Sequence, residues 1–299
     1  MKTNKWLACV SASIFGALIF GALVFSAAEL GSAAEANGVA GPKIVVSIFP
    51  LHALASGVMA GAGTPALLLD SGLSPHDFAL KPSQARLLQA ADLLVWIGDG
   101  LEFPLARFAA NLPPGRSLPL TAGGGANGRN LHIWLDPDQA RQIVRVLAEK
   151  LAALDPDHAA LYAANGAALR RRIAELADEL ETLLRPFRDL PYIVYHDAYG
   201  PFERRFGLRN LAAVTPDPER RPGARHIRRM RAAIAASGAR CLFREPQFEP
   251  QILAAIVEGS DIQLGELDPL GVGLTPGVNG YFDLMRNLAR GFVRCLSRP

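Results

Sequence analysis

The chain has 299 residues, 50% of them hydrophobic, with a formal net charge of +3 and three cysteines. So small a charge, dispersed along the chain, argues against nucleic acid as a partner. One apolar run alone approaches membrane length, and it stands at the very start, so the body that follows is expected to be soluble.

Residues 1–36 read as a Sec-type signal peptide. Lys2 and Lys5 precede an apolar run over 6–25, and Ala34-Glu35-Ala36 offers small residues for cleavage near Ala36. The competing reading is an uncleaved anchor, since the run is just long enough to span a bilayer. Trp6-Leu7-Ala8 is a poor lipobox and places Cys9 too early for lipidation. Cleavage leaves about 260 residues, enough for two α/β lobes or one large domain.

Along that body, short apolar runs rich in β-branched residues alternate with helical patterns, as in parallel α/β units. Strands are expected at 43–49, 66–69, 93–97 and 117–120, with helices at 82–90 and 101–111. A second set of strands is expected at 192–195, 208–214, 240–243 and 262–267, with helices at 225–237, 248–258 and 281–295. Two sets of four strands suggest two similar lobes. Between them lies the longest helical stretch, about 155–185, where Leu169, Ile173, Leu176, Leu180 and Leu183 recur at spacings of three and four. Asp155-Pro156 supplies a cap and a first-turn proline, and Pro186 stops the run. Thirty helical residues extend about 45 Å, enough to cross a domain. Arg170, Arg171 and Arg172 read as its solvated face. The glycine-rich tract 121–130 reads as a surface loop; it lacks the Gly-Lys-Ser/Thr ending of a phosphate cradle.

Three of the six histidines stand where strands are expected to give way to loops. His196 ends an apolar strand and so projects from the carboxyl edge, where open α/β sheets bind ligands. His132 precedes Ile133-Trp134-Leu135 and the helix cap Asp136-Pro137; His76 follows Ser74-Pro75 in a turn. Brought together, three imidazoles make a zinc site. Asp268, in Leu267-Asp268-Pro269, offers an oxygen to the same cleft or else is a turn aspartate before proline. Asp77 and Asp197 directly follow two of the histidines and either orient ligand rings or cap the next helices. His52, His158 and His226 look ordinary. Cys241 and Cys295, in an exported chain, most simply pair; free thiols and a thiolate metal site are the alternatives, without any CxxC spacing to favour the latter.

Taken in order, Ser74-Pro75-His76-Asp77-Phe78, Ala91-Asp92-Leu93-Leu94-Val95-Trp96, His132-Ile133-Trp134-Leu135-Asp136-Pro137, His196-Asp197-Ala198-Tyr199-Gly200, Glu245-Pro246-Gln247-Phe248 and Leu267-Asp268-Pro269-Leu270-Gly271 closely resemble the ZnuA-like proteins. These are periplasmic solute-binding proteins of the cluster A-I family, which serve metal-importing ABC transporters. The resemblance covers essentially the whole mature chain. It implies two Rossmann-like lobes with parallel sheets, 37–154 and 187–299, joined by one long rigid helix over 155–186, with metal in the cleft between them. It also implies His76, His132 and His196 as Zn2+ ligands, Asp268 at or near the metal, Glu245 beside the ligands, and a Cys241–Cys295 disulfide. The expected partner is an inner-membrane ABC permease, served by a monomeric carrier that is not an enzyme.

Two departures from the family pattern matter. Pro75 stands where some zinc members carry a glutamate, which leaves water or Asp268 for the fourth position. The 121–130 tract replaces a long histidine-rich loop, so no second metal site is expected there. His196 stands where manganese relatives carry glutamate, and imidazole in place of an oxygen donor favours zinc over harder ions. The alternatives are a manganese or iron carrier on the same scaffold, and a secreted zinc hydrolase with Glu245 as its base.

Overall fold

The computed structural model describes residues 41–121, 130–215, 218, 223–248 and 251–298. The expected signal peptide (1–36) lies outside the described residues, as does the glycine-rich tract apart from Thr121 and Asn130.

Two parallel sheets form the frame. The first joins β1 (Ile44–Val46), β2 (Ala66–Leu67), β3 (Leu93–Trp96) and β4 (Ser117–Pro119) in the order β2-β1-β3-β4. The second joins β5 (Tyr192–His196), β6 (Asn210–Thr215), β7 (Cys241–Arg244) and β8 (Gln263–Glu266) in the order β6-β5-β7-β8. All eight strands fall where the apolar runs predict them, and each sheet repeats the other's connectivity. The central strands are buried throughout, Ile44, Val45 and Val46 in one sheet and Tyr192 to His196 in the other. Helices on both faces of a parallel sheet demand such unbroken apolar runs. In each sheet the chain runs from the first strand to one side and then returns to the other, so a crevice opens at the carboxyl ends of β1 and β5.

The helices are α1 (Phe49–Val58), α2 (Pro82–Ala90), α3 (Phe103–Ala109), α4 (Pro137–Leu154), α5 (Ala159–Leu184), α6 (Gly200–Phe206), α7 (Ala224–Ser237), α8 (Gln251–Val257) and α9 (Gly280–Leu296). The long helix is α5, entered through a 3-10 turn at Pro156–His158 and left through another at Arg185–Phe187. It does not stand alone: α4 packs along it, and Gly166 permits the approach, since a Cβ there would lie 2.9 Å from the Ala148 Cβ. Pro50 opens α1, which is buried on nearly every side and packs against α4, α5 and α9. A helix apolar all round carries no amphipathic period, which is why the 43–49 run reads as strand to its end.

Helix α9 packs against α1, α5 and β8, and its face of Tyr281, Leu284, Met285, Leu288 and Phe292 is buried. Burying such side chains contributes roughly 2 kcal/mol each. The Arg286–Glu179 bridge between α9 and α5 is part-exposed and worth at most about 1 kcal/mol, so apolar packing holds this junction. Cys241 and Cys295 form a disulfide, with Cα atoms 6.2 Å apart, that ties α9 to β7 across a sequence separation of 54. In the first sheet's loops, Glu102 is fully buried. Burial pushes its carboxyl up to about 7, against the opposing pull of Ser47 and the amides of Gly98 and Ile97.

Candidate metal centre

His76 lies in the loop after β2. Ser74 Oγ accepts the His76 backbone N–H at 3.2 Å, and Gln84 Nε2 pins the start of the loop through the Leu68 carbonyl at 2.7 Å. His196 is the last residue of β5 and is 3% exposed. His132 departs from expectation: Asn130 and Leu131, the described residues just before it, are not strand. It precedes a 3-10 turn, Ile133–Leu135, which leads into α4, capped by Asp136 through the Asp138 N–H. The turn forms because Trp134 is drawn inward, its indole N–H donating to the Pro269 carbonyl at 2.8 Å while the Tyr281 hydroxyl donates to the Trp134 carbonyl.

The three rings converge. Their centroids are 5.2–5.5 Å apart, and one nitrogen from each lies within 4.8 Å of the other two. His132 Nε2 and His196 Nε2 face each other at 3.3 Å. The opposite ring nitrogens are both engaged: His196 Nδ1 lies 2.6 Å from Glu245 Oε1, and His132 Nδ1 lies 2.9 Å from Asn130 Oδ1. A carboxylate and an amide oxygen can only accept, so each Nδ1 carries the hydrogen and each Nε2 presents a lone pair to the centre. Burial lowers the His132 pKa well below the ordinary value, and His196 and His76 lower it further, so that ring is neutral at pH 7. Buried imidazoles presenting lone pairs to one point suit a borderline-soft divalent cation.

The other predicted residues take separate places. Asp268 is not among the gathered ligands: Oδ1 accepts from Gln247 Nε2 at 2.9 Å and from the Leu270 and Gly271 N–H groups, and Oδ2 accepts from the Val272 N–H. Gly271, at φ +78°, completes that turn, and a Cβ there would lie 2.9 Å from the Phe49 ring. Asp77 is exposed. Asp197 receives Asn130 Nδ2 at both its carbonyl (2.6 Å) and its Oδ1 (3.2 Å), so it reaches His132 through Asn130. Neither aspartate is the cap residue of the next helix; Lys81 and Tyr199 are. His52, His158 and His226 are engaged locally by Pro65 and Ser56, by Asp155, and by the Val214 carbonyl.

Sequence reasoning missed Asn130 and Gln247. The signal for Asn130 was its position two residues before His132, where an asparagine side chain accepts the N–H of the residue two ahead, here at 3.0 Å. Gln247 gave no local signal, because its partners, Ser71 and Asp268, are distant in sequence.

Among known proteins, the chain is 36% identical to the high-affinity zinc uptake system protein ZnuA of Paracoccus denitrificans, covering 90% of this chain and 96% of that one. It is 32% identical to the protein of the same name from Yersinia pestis, covering 86% and 92%. Among solved structures, a zinc-bound 138–173 deletion mutant of ZnuA superposes with a TM-score of 0.74 at 25% identity, covering 87% of this chain and 99% of that one. The periplasmic zinc binding protein TroA of Treponema pallidum shares the fold, with a TM-score of 0.78 at 19% identity over 86% of this chain and 100% of that one. The family profile described as zinc-uptake complex component A, periplasmic, matches residues 44–295, and the chain belongs to that ZnuA family.

Proposed function

We propose that this protein captures Zn2+ in the periplasm for high-affinity uptake, with His76, His132 and His196 as the metal ligands, and yields it to an inner-membrane ABC permease. The observation that carries the reading is the pair of fixed tautomers, which turns two Nε2 lone pairs toward one point 3.3 Å across. The relatives' names support zinc as the cargo. Residues 1–36 direct export and are removed. The lobes are 37–154 and 187–299, bridged over 155–186, and the carrier works as a monomer.

Asp268 spends both oxygens on its own turn and on Gln247, which favours water as the fourth ligand. A manganese or iron cargo is disfavoured by three imidazoles without a coordinating carboxylate. A hydrolase is disfavoured because Glu245, the base it would need, already accepts from the far side of the His196 ring.

The test is metal analysis of protein purified without chelators, then competition of zinc against manganese. Zinc is expected to be bound stoichiometrically and to displace manganese. Unchanged zinc affinity in His132→Ala and His196→Ala would refute the ligand assignment.

A further inference from the structure

The three histidines share their cavity with Ser74, Pro75, Glu245, Gln247, Phe248 and Leu270, and the space open within it is about 10 Å³, the scale of one water molecule. Most of this lining is carbon or already engaged in hydrogen bonds. Beside the histidines, Gln247 stands out. Its Nε2 donates to the Ser71 carbonyl at 3.2 Å and to Asp268 Oδ1 at 2.9 Å. Both partners are acceptors, so the amide cannot be turned the other way, and its oxygen is fixed as the remaining polar atom. That oxygen, Oε1, is buried and has no hydrogen-bond partner among the described residues. A buried acceptor left unmatched is destabilising.

We propose that Gln247 is a positioning residue for the cargo: its Oε1 accepts a hydrogen bond from a water molecule that fills the fourth position on the metal. This rests on the three-histidine reading above and deepens it. A metal-bound water is a strong donor and satisfies the stranded oxygen, whereas a small anion has no hydrogen to give and would face the carbonyl lone pairs. Gln247 therefore selects water over anions at the open coordination site. The amide is aimed by Ser71, in the loop that carries His76, and by Asp268, beyond β8. The acceptor is thus held from both sides of the cavity.

Co2+ reports the site by its visible ligand-field spectrum, and thiocyanate titrated into the Co2+-loaded full chain reports the fourth position. In the wild type, tetrahedral bands are expected that shift only at high thiocyanate. In Gln247→Met, which keeps length and loses the acceptor, the thiocyanate midpoint is expected to fall about tenfold, the worth of roughly one hydrogen bond. Gln247→Leu is the second variant and should behave alike. A purely structural role for Gln247 would weaken Co2+ binding without tightening thiocyanate. Bands present in all three proteins with equal thiocyanate midpoints would overturn the assignment of Gln247 alone. Absence of tetrahedral bands in the wild type would overturn the three-histidine reading and this one with it.

Discussion

Removing the carboxylate of Glu245 separates what the bound metal needs from what the empty site tolerates. Without metal and without Glu245, the His196 ring can carry its hydrogen on Nε2, where the His132 Nε2 at 3.3 Å accepts it. With metal, both Nε2 lone pairs are taken and both Nδ1 atoms must carry hydrogen. In Glu245→Ala the His196 Nδ1–H then has no acceptor in a site where His196 and Glu245 are 3% and 2% exposed. The cost, about 1–3 kcal/mol, falls on the loaded form alone and raises the zinc Kd about 10- to 100-fold. Mutations behind metal-binding histidines typically have effects of that size. Glu245→Gln keeps an acceptor but exchanges a charge-assisted bond for a neutral one, roughly half as strong, so the loss should be about tenfold or less. Competition against a chromophoric chelator at pH 7.5, with thermal melts of the metal-free proteins to verify folding, gives both numbers. An alanine variant within about threefold of wild type would refute the argument that this pair fixes the tautomer.

Two further outcomes follow from the scaffold. The Glu102 carboxyl ionises near 7 when folded and at 4.5 when unfolded. Its contribution is therefore fully present below pH 4.5 and lost as pH rises through 7. Urea unfolding of metal-free wild type against Glu102→Gln should show the wild type losing up to about 3 kcal/mol relative to the variant between pH 4.5 and 7.5, and parallel pH profiles would contradict the burial argument. Replacing Cys241 and Cys295 by alanine opens a loop of 54 residues and should cost about 4 kcal/mol on the chain-entropy account. Zinc affinity should be unchanged, because no histidine of the site touches the bridge; calorimetric melts and the same chelator assay read the two effects separately.

How much could be read in advance depended on the range of the interaction involved. The central strands were visible because a strand buried on both faces is written in consecutive residues, as in Ile44-Val45-Val46 and Tyr192 to Tyr195. Helix α5 was visible because half its circumference is polar. Helices α1 and α4 went unassigned, the first because it is apolar on every side and the second because only its cap, Asp136-Pro137, was noticed. His76, His132 and His196 were singled out partly on strand-end placement, which fits His196 and fails for His132. Asp268 shows the limit most plainly. Its position in a resembling motif suggests a ligand, while the four donors that surround it are three backbone amides and one side chain from another strand's end. No sequence pattern records whether a carboxylate is already spoken for.

The same hydrogen bonds that orient the three rings also join loops of the two sheets, so separating those loops would be felt at the metal centre. Asn130 fixes the His132 tautomer with its oxygen while its nitrogen is held by Asp197, next to His196. Gln247 reaches from the end of β7 to Ser71, ahead of His76. A partner that parts the two sides need not pull on the metal or protonate a ligand. Breaking the Asn130–Asp197 bond frees the asparagine to turn, and the His132 Nδ1–H loses its acceptor. By the Glu245 reasoning, loss of one acceptor weakens zinc about 10- to 100-fold, and loss of the His76 loop from the opposite wall removes a ligand outright. Asn130→Ala separates this account from one in which only ligand distance matters. It should weaken zinc in the chelator assay although none of the three histidines has been changed, and an unaltered Kd would show that ligand distance alone sets the affinity.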